Sequence, residues 1–367
     1  MIQANKNRLV PMTVGLDLGD KKSHYCVVDS SGAVAGRKPV STTPKAVRTH
    51  FARLLQAGAS RVALEVGTQS PWVSRLLAEL GFEVVVANAR EVASIAKSSR
   101  KSDRVDAELL ARLARVDPQL LRPIQHRGPK AQADLAALRS RAVLVATRTQ
   151  LINHVRGSTK PWGLRLPRCS AACFHKKVPE LLPKELAVGL TAVVEQIASL
   201  TAQILRFDQH IEHLCEHRYP ETKLLRQVKG VGPVTALTFV LTIESPDRIN
   251  KPRNAGAYVG LVPKRRQSGD SDPQLGITKA GDVALRALLV NCAHYILGPF
   301  GQDSDLRRLG LRVAAGGGQG AKKRAVIAVA RKLSVLLLRL WQTGEVYEPL
   351  RNTHAREAKQ IAAGQTT

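Results

Sequence analysis

Short apolar runs punctuated by turns set out the first third of this chain. Residues 13–19, 24–29 and 33–40 read as three strands. The turn Asp29-Ser30-Ser31-Gly32 separates the last two, as in a hairpin. A helix is expected over 44–56, where Val47, Phe51, Leu54 and Leu55 share one face and Gly58 closes the segment. Residues 61–67 form a further strand. Ser70 caps a helix that has Pro71 at its first position, runs to Leu80 and stops at Gly81. Residues 83–87 are again a strand. Antiparallel-type strands followed by alternating helices and strands predict an α/β domain on a mixed sheet, residues 1–128. Its last helix, after residue 103, holds Leu109, Leu110, Leu113 and Val116 on one side.

The period then becomes helical throughout. From 130 to 156, Leu135, Leu138, Val145 and Ile152 line one side, with Arg139, Arg141, Arg148 and Arg156 interleaved. Residues 157–183 are rich in loop formers. From 185 to 217 the apolar positions recur in steps of three and four. Two long helices over 129–218 predict a coiled coil, antiparallel or intermolecular, or else a core helix pair within one domain. His210, His213 and His217 share a side of the second helix. No carboxylate completes a ligand set there, so they read as a solvated face.

Residues 219–348 form a mainly α region. Gly230-Val231-Gly232-Pro233 stands between two apolar runs and resembles a helix-hairpin-helix turn, which exposes backbone N–H groups to phosphate. An ordinary tight turn is the alternative. Gly316 to Lys323 lacks the strand and the Ser or Thr of a phosphate loop, so it reads as a flexible loop before a helix over 322–341. Residues 349–367 are polar and expected to fray.

Charge narrows the function. Lys and Arg number 56 against 29 Asp and Glu, a net +27 spread through the chain. That predicts a polyanionic partner, nucleic acid before membrane. With 44% hydrophobic residues the chain can bury two or three cores. Aromatics are 4%, which argues against a stacking platform for single strands. No uninterrupted apolar run spans a bilayer or has signal-peptide form, so a cytoplasmic protein is expected. Five Cys at irregular spacing read as reduced thiols. Cys169 and Cys173 could seed a zinc site, but no second pair follows at finger spacing.

Candidate chemistry lies in the acids. Asp17 sits within the first apolar run. A carboxylate there is costly unless a cation or hydrogen-bond donors satisfy it. It either holds a divalent metal or caps a turn at Gly19. Glu65 ends the fourth strand. Asp103 and Asp106 lie on one helical face inside a basic stretch, 97–108. Capping and the helix dipole are the other reason for acids at a helix start.

Together Asp17, Glu65, Asp103 and Asp106 look like the DEDD set of RuvC-like nucleases. The context Lys101-Ser102-Asp103-Arg104-Val105-Asp106-Ala107 is similar to that of the DEDD transposases of bacterial insertion sequences, the one-ten family. Gly260-Leu261-Val262-Pro263, then Lys264-Arg265-Arg266, Ser268-Gly269 and Gly276-Ile277-Thr278-Lys279 follow in that family's order. The resemblance spans residues 12–348. Gln267 stands where many relatives have a second Ser, and Asp270-Ser271-Asp272 where Gly and Lys are usual. Ser268 is therefore the best match for a nucleophile, with Ser271 its rival.

The resemblance implies a RuvC/RNase H-like domain over 1–128, a coiled-coil segment over 129–218 and a serine-bearing transposase domain over 219–348. It implies Mg²⁺ or Mn²⁺ on the four carboxylates and a serine-linked DNA intermediate. It further implies that the serine is brought from another protomer of a dimer or tetramer, and that a structured guide RNA specifies the element ends and the target DNA. Gly230, Gly232, Lys264, Arg265, Arg266 and Lys279 are the expected nucleic-acid contacts. Three other readings stay open: a hydrolytic structure-specific endonuclease, an actin-like ATPase suggested by Asp17-Leu18-Gly19, and a non-enzymatic nucleic-acid-binding protein.

Overall fold

The computed structural model describes residues 12–88, 103–273, 275–318 and 320–354, without the side chains at 103 and 104. The start of the basic stretch, Lys97 to Ser102, therefore lies outside the described residues, as do 355–367. Two compact units divide between Arg127 and Gly128.

The first unit is a mixed five-stranded sheet in the order β3-β2-β1-β4-β5. Its strands are β1 (Met12–Asp17), β2 (Lys22–Val28), β3 (Val34–Ser41), β4 (Ala59–Glu65) and β5 (Glu83–Ala87). β1–β2 and β2–β3 pair antiparallel, β1–β4 and β4–β5 parallel. At the β2–β3 turn, Asp29 Oδ1 accepts from the N–H groups of Ser31 and Ala33, both at 2.9 Å, and Gly32 takes φ +91°.

Both faces of this sheet are covered, which is why its strands read as continuous apolar runs. Side chains alternate along each strand. Val14, Leu16, Val62, Leu64 and Val86 bury against Phe51 of α1 (Pro44–Gln56) and Val73 and Leu77 of α2 (Ser70–Glu79). Cys26, Val28, Ala63, Val85 and Ala87 meet Ala107, Leu110, Ala111 and Ala114 of α3 (Asp103–Val116) on the other side. Ser70 does not cap α2 as expected; the N-cap is Gln69, with no side-chain cap bond. The Ser70 hydroxyl turns back instead, accepting from Gly67 N–H at 2.9 Å and donating to Gly67 C=O at 2.8 Å.

The second unit is helical. α4 (Pro129–Ser158) and α5 (Lys184–His217) form an antiparallel pair. The start of α4 (Ala131, Leu135, Leu138) packs on the end of α5 (Ile211, Leu214, Cys215). The end of α4 (Ile152, Val155) packs on the start of α5 (Leu190, Val194, Ile197). Arg141 meets Asp208 at 2.5 Å between them. α5 is long and apolar enough, by length and composition, to cross a membrane, yet its buried ridge is taken up by α4.

α6 (Thr222–Arg226), α7 (Pro233–Ile243), α8 (Val283–Leu297), α9 (Asp305–Ala315) and α10 (Ala321–Thr343) enclose the largest core. α7 is buried all round, so it carries no amphipathic signature. The expected fraying after Glu348 is corrected for 349–354. Asp305 accepts from Asn352 N–H and Thr353 Oγ1, both at 2.7 Å, and donates its own N–H to Pro349 C=O at 2.8 Å. Cys26, Cys215 and Cys292 are buried, and burial pushes their thiols up.

Candidate carboxylate site and serine hairpin

Asp17 ends β1 and Glu65 ends β4. These parallel neighbours pair Leu16 with Leu64, so the next residues, Asp17 and Glu65, stand side by side. Leu16 and Leu64 belong to the α1–α2 side. By alternation both carboxylates project from the side that α3 covers.

α3 comes unusually close at one point. A Cβ on Gly15 would lie 1.9 Å from the Ala107 carbonyl oxygen and 2.5 Å from the Ala111 nitrogen. Glycine at 15 therefore sets the height of the helix over the sheet. The helix runs against β4: Arg61, near the start of that strand, donates to the Ala114 carbonyl at 2.8 Å. The first turn of α3, with Asp103 and Asp106, thus lies toward the strand ends that carry Asp17 and Glu65. Glu108, on the same helix, is engaged with Arg37 of β3 and with Arg112.

Among the described residues, no three His, Cys, Asp or Glu side chains stand close enough to hold a metal ion. The Asp103 side chain is not among those described. A donor set made only of carboxylates suits a hard divalent cation such as Mg²⁺ or Mn²⁺. The residue types therefore fit the ion that the resemblance implies.

Supports near these strand ends were not read from the sequence. Ser70 Oγ lies 2.9 Å from His126 Nε2. Burial first, then the charges of Arg75 and Arg127, hold His126 below the usual imidazole range. Gln69 joins Asp20, at 3.3 Å, to the Trp72 indole N–H, at 2.6 Å. These are polar contacts between separate elements and leave no periodic trace. Gly15 did leave one, a glycine inside a strand.

In the second unit the serines stand at the tip of a β-hairpin. Lys264 N–H donates to Gly276 C=O and Thr278 N–H to Val262 C=O, both at 2.9 Å. At the tip, Ser268 and Ser271 exchange N–H···O=C bonds of 3.1 Å around Gly269, whose φ is +55°. The two candidate nucleophiles thus face each other across one turn. Lys264, Arg265, Arg266 and Lys279 are exposed, and Arg265 lies 3.3 Å from Asp272.

The hairpin springs from a tight junction. Gly260 and Gly281 have φ of +70° and +69°, and a Cβ on either would meet backbone within 2.3 Å. The buried Arg286 of α8 donates from Nη1 to Val259 C=O at 3.1 Å and to Ala280 C=O at 2.6 Å. Sequence reasoning missed Arg286, because it sits inside an apolar helical run.

Gly230 and Gly232 lie in the turn between α6 and α7. Gly230 has φ +96° and lies under Tyr295, whose Cδ1 would be 2.7 Å from a Cβ there. Gly232 is the extended N-cap of α7.

Two family models match. Residues 14–158 match a transposase model of the DEDD IS110 type, and residues 222–302 match that of the IS116/IS110/IS902 transposases. The first span holds Asp17, Glu65, Asp103 and Asp106; the second holds Ser268 and its basic neighbours. The chain is 28% identical over 342 residues to the transposase for insertion sequence element IS1111A of Coxiella burnetii, covering 91% of this chain and 90% of that protein. It is 28% identical over 288 residues to the transposase for insertion sequence element IS1328 of Yersinia enterocolitica, covering 76% and 82%.

Proposed function

Because this chain belongs to the IS116/IS110/IS902 transposase family, whose members cut and rejoin DNA, we propose that it works through a serine-linked intermediate at a metal-dependent carboxylate site. The observation that carries the reading is the placement of Asp17 and Glu65 on adjacent strand ends, on the side where α3 begins. Asp17, Glu65, Asp103 and Asp106 hold Mg²⁺ or Mn²⁺, which supplies Lewis acidity toward a phosphodiester. Ser268 is the nucleophile. Its hydroxyl proton passes to a base, Oγ bonds to phosphorus, and the bond to the 3′ oxygen breaks, that oxygen taking up a proton to leave as a 3′-hydroxyl. A new 3′-hydroxyl reverses the step on the joined partner, and the serine regains its proton.

Lys264, Arg265, Arg266, Lys279 and the Gly230–Gly232 turn contact phosphates, supported by the exposure of the four basic side chains and of Gly232 and by the net charge of +27. The same proposal includes a RuvC-like first unit, helix-hairpin-helix character at α6–α7 and coiled-coil character at α4–α5. It also includes a structured guide RNA and a homo-oligomer in which one copy's serine meets another's carboxylates. Family membership supports these parts.

The test traps the intermediate. Protein, Mg²⁺, DNA with the element ends and the guide RNA are incubated, denatured and digested, and the nucleotide adduct is mapped by mass spectrometry. An adduct on Ser268 is expected. An adduct on Ser271 moves the nucleophile across the turn. Efficient recombination by Ser268→Ala, with no adduct on any residue, removes the serine and leaves a metal-dependent nuclease.

A further inference from the structure

Aromatic residues are scarce at 4% of the chain, yet two exposed ones stand beside a single turn. Among the described large apolar side chains that stay exposed, the aromatic ones are Trp162, Tyr295 and Phe300. Tyr295 lies near the end of α8 and Phe300 just past it. Phe300 is 78% exposed and Tyr295 44%.

Phe300 is not on a loose loop. It belongs to Gly298-Pro299-Phe300-Gly301, and Arg307 braces that turn from within. Arg307 Nη1 donates to Ile296 C=O at 2.6 Å and to Gly298 C=O at 2.7 Å. Gly301 N–H donates to Gly298 C=O at 3.2 Å. A Cβ on Gly301 would stand 2.0 Å from Ile296 C=O and 2.5 Å from Arg307 Nη1, so the backbone is packed to contact. A mobile loop could fold its phenyl ring back onto the core. This turn holds the ring in water.

The turn adjoins the one at Gly230. The Tyr295 ring rests on Gly230, and Lys229 lines a small cleft together with Ile296 and Gln302. Asn291 and His294 are exposed one turn back on α8. Asp303 also lines the cleft and would repel phosphate, but the Arg308 guanidinium grips its carboxylate at 2.7–3.1 Å.

We infer that Phe300 is an aromatic wedge that enters a base step of DNA whose backbone is held by the turn at Gly230. This rests on the DNA-contact reading of that turn. Phosphate contacts fix position, while an adjacent apolar side chain unstacks the bases it enters. A stacking platform needs several aromatic rings; a wedge needs one. The low aromatic content therefore agrees with a wedge.

The probe is a short duplex carrying 2-aminopurine at TA steps, which open easily. Binding by the full chain should raise its fluorescence. Phe300→Ala should abolish the rise and weaken binding about tenfold, by loss of one stacked base. The slope of log affinity against log salt should not change, because no phosphate contact is lost. Phe300→Trp should keep both signals. The ring is exposed, so the variants should melt as the parent does. Salt-sensitive binding by the parent, with Phe300→Ala equal to it in affinity and fluorescence, would overturn the wedge alone. A Lys229→Ala variant with the parent's affinity and salt slope would remove the DNA-contact reading of the turn beneath it. A response from 2-aminopurine in an RNA hairpin but not in the duplex would overturn the assignment to DNA. A changed oligomeric state in Phe300→Ala with unchanged DNA affinity would make the patch a contact between copies, which also overturns it.

Discussion

The candidate carboxylates and the candidate serine are positioned by opposite means. Asp17 and Glu65 end strands that are hydrogen-bonded to neighbours on both sides, in a sheet covered on both faces. Ser268 stands at the tip of an exposed hairpin, where an isolated bridge pairs it with Ser271. The first arrangement suits neighbouring carboxylates, because strand register opposes the repulsion that would part them. The second leaves the candidate serine on an exposed tip, open to a phosphate of an incoming strand. What fixes the hairpin is its base, where Arg286, Gly260 and Gly281 lock the junction to α8. Precision is therefore built into the strands in one unit and into the junction in the other.

The largest effect should come from the rigid side. Asp17→Asn removes one carboxylate charge from the candidate site and leaves the basic surface whole. Cleavage should fall on the order of a hundredfold or more, with DNA affinity nearly unchanged. Cleavage at the parental rate would take Asp17 out of the site. Filter binding and single-turnover cleavage on one preparation separate the two quantities.

Gly15 tests whether register and helix height matter apart from charge. A methyl group there meets the Ala107 carbonyl at 1.9 Å, against backbone that has no rotamer to change. Gly15→Ala should cost about 1–3 kcal/mol as overpacking and lower cleavage by tilting α3 away. Gly36, in β3, has nothing within 4 Å of its Cβ position and is the control. Equal urea midpoints for Gly15→Ala and Gly36→Ala would end the argument that Gly15 sets the helix.

That glycine also shows how far the sequence could be read. The strands and α1 were legible because sheet burial writes itself as short apolar runs, and α1 spans Pro44–Gln56 as its spacing predicts. Gly15 was visible as a glycine within a strand, but its partner, the Ala107 carbonyl, lies some ninety residues on. Ser70 before Pro71 has the form of a helix cap, and locally the inference was sound. The Gly67 turn competed for the same hydroxyl and took it. Residues 349–354 look like a polar tail because Asp305, which holds them, is remote in sequence. The four acids were legible only as a set. The register of β1 and β4 adds that Asp17 and Glu65 are neighbours, which spacing along the chain does not give.

At the exposed hairpin the expected effect is smaller and of another kind. Replacing Lys264, Arg265 and Arg266 with Ala should make the slope of log affinity against log salt shallower by up to about three units. Asp272 beside Arg265 already offsets part of that residue's charge, so Arg265→Ala alone should shift the slope least of the three. Equal shifts from all single variants would mean that the Asp272 pair opens on DNA. No shift in the triple variant would take the hairpin out of the interface.

The smallest effect is one of pH, and it separates the two units again. His50 and His126, both in the first unit, are held below the usual imidazole range, chiefly by burial. His50 Nε2 lies 2.7 Å from the Tyr25 hydroxyl, and His126 Nε2 2.9 Å from the Ser70 hydroxyl. The unfolded chain therefore takes up these protons before the folded one does. Stability of this unit should be level above the ordinary imidazole value of about 6.5, fall as pH drops from there toward the depressed folded values, and level off below them. Asp303, Asp305 and Glu345 in the second unit are held below the usual carboxylate range. Their contribution is present at neutral pH and is lost only as acid reaches carboxylates, in a lower window. Amide exchange in β1 and β4, followed on acidification from neutral pH, should therefore quicken before exchange in α9 does. Replacing both histidines with Gln should abolish that early step. Exchange in β1 that stays constant down to the carboxylate range would show that burial of these two rings is not linked to the folding of the carboxylate unit.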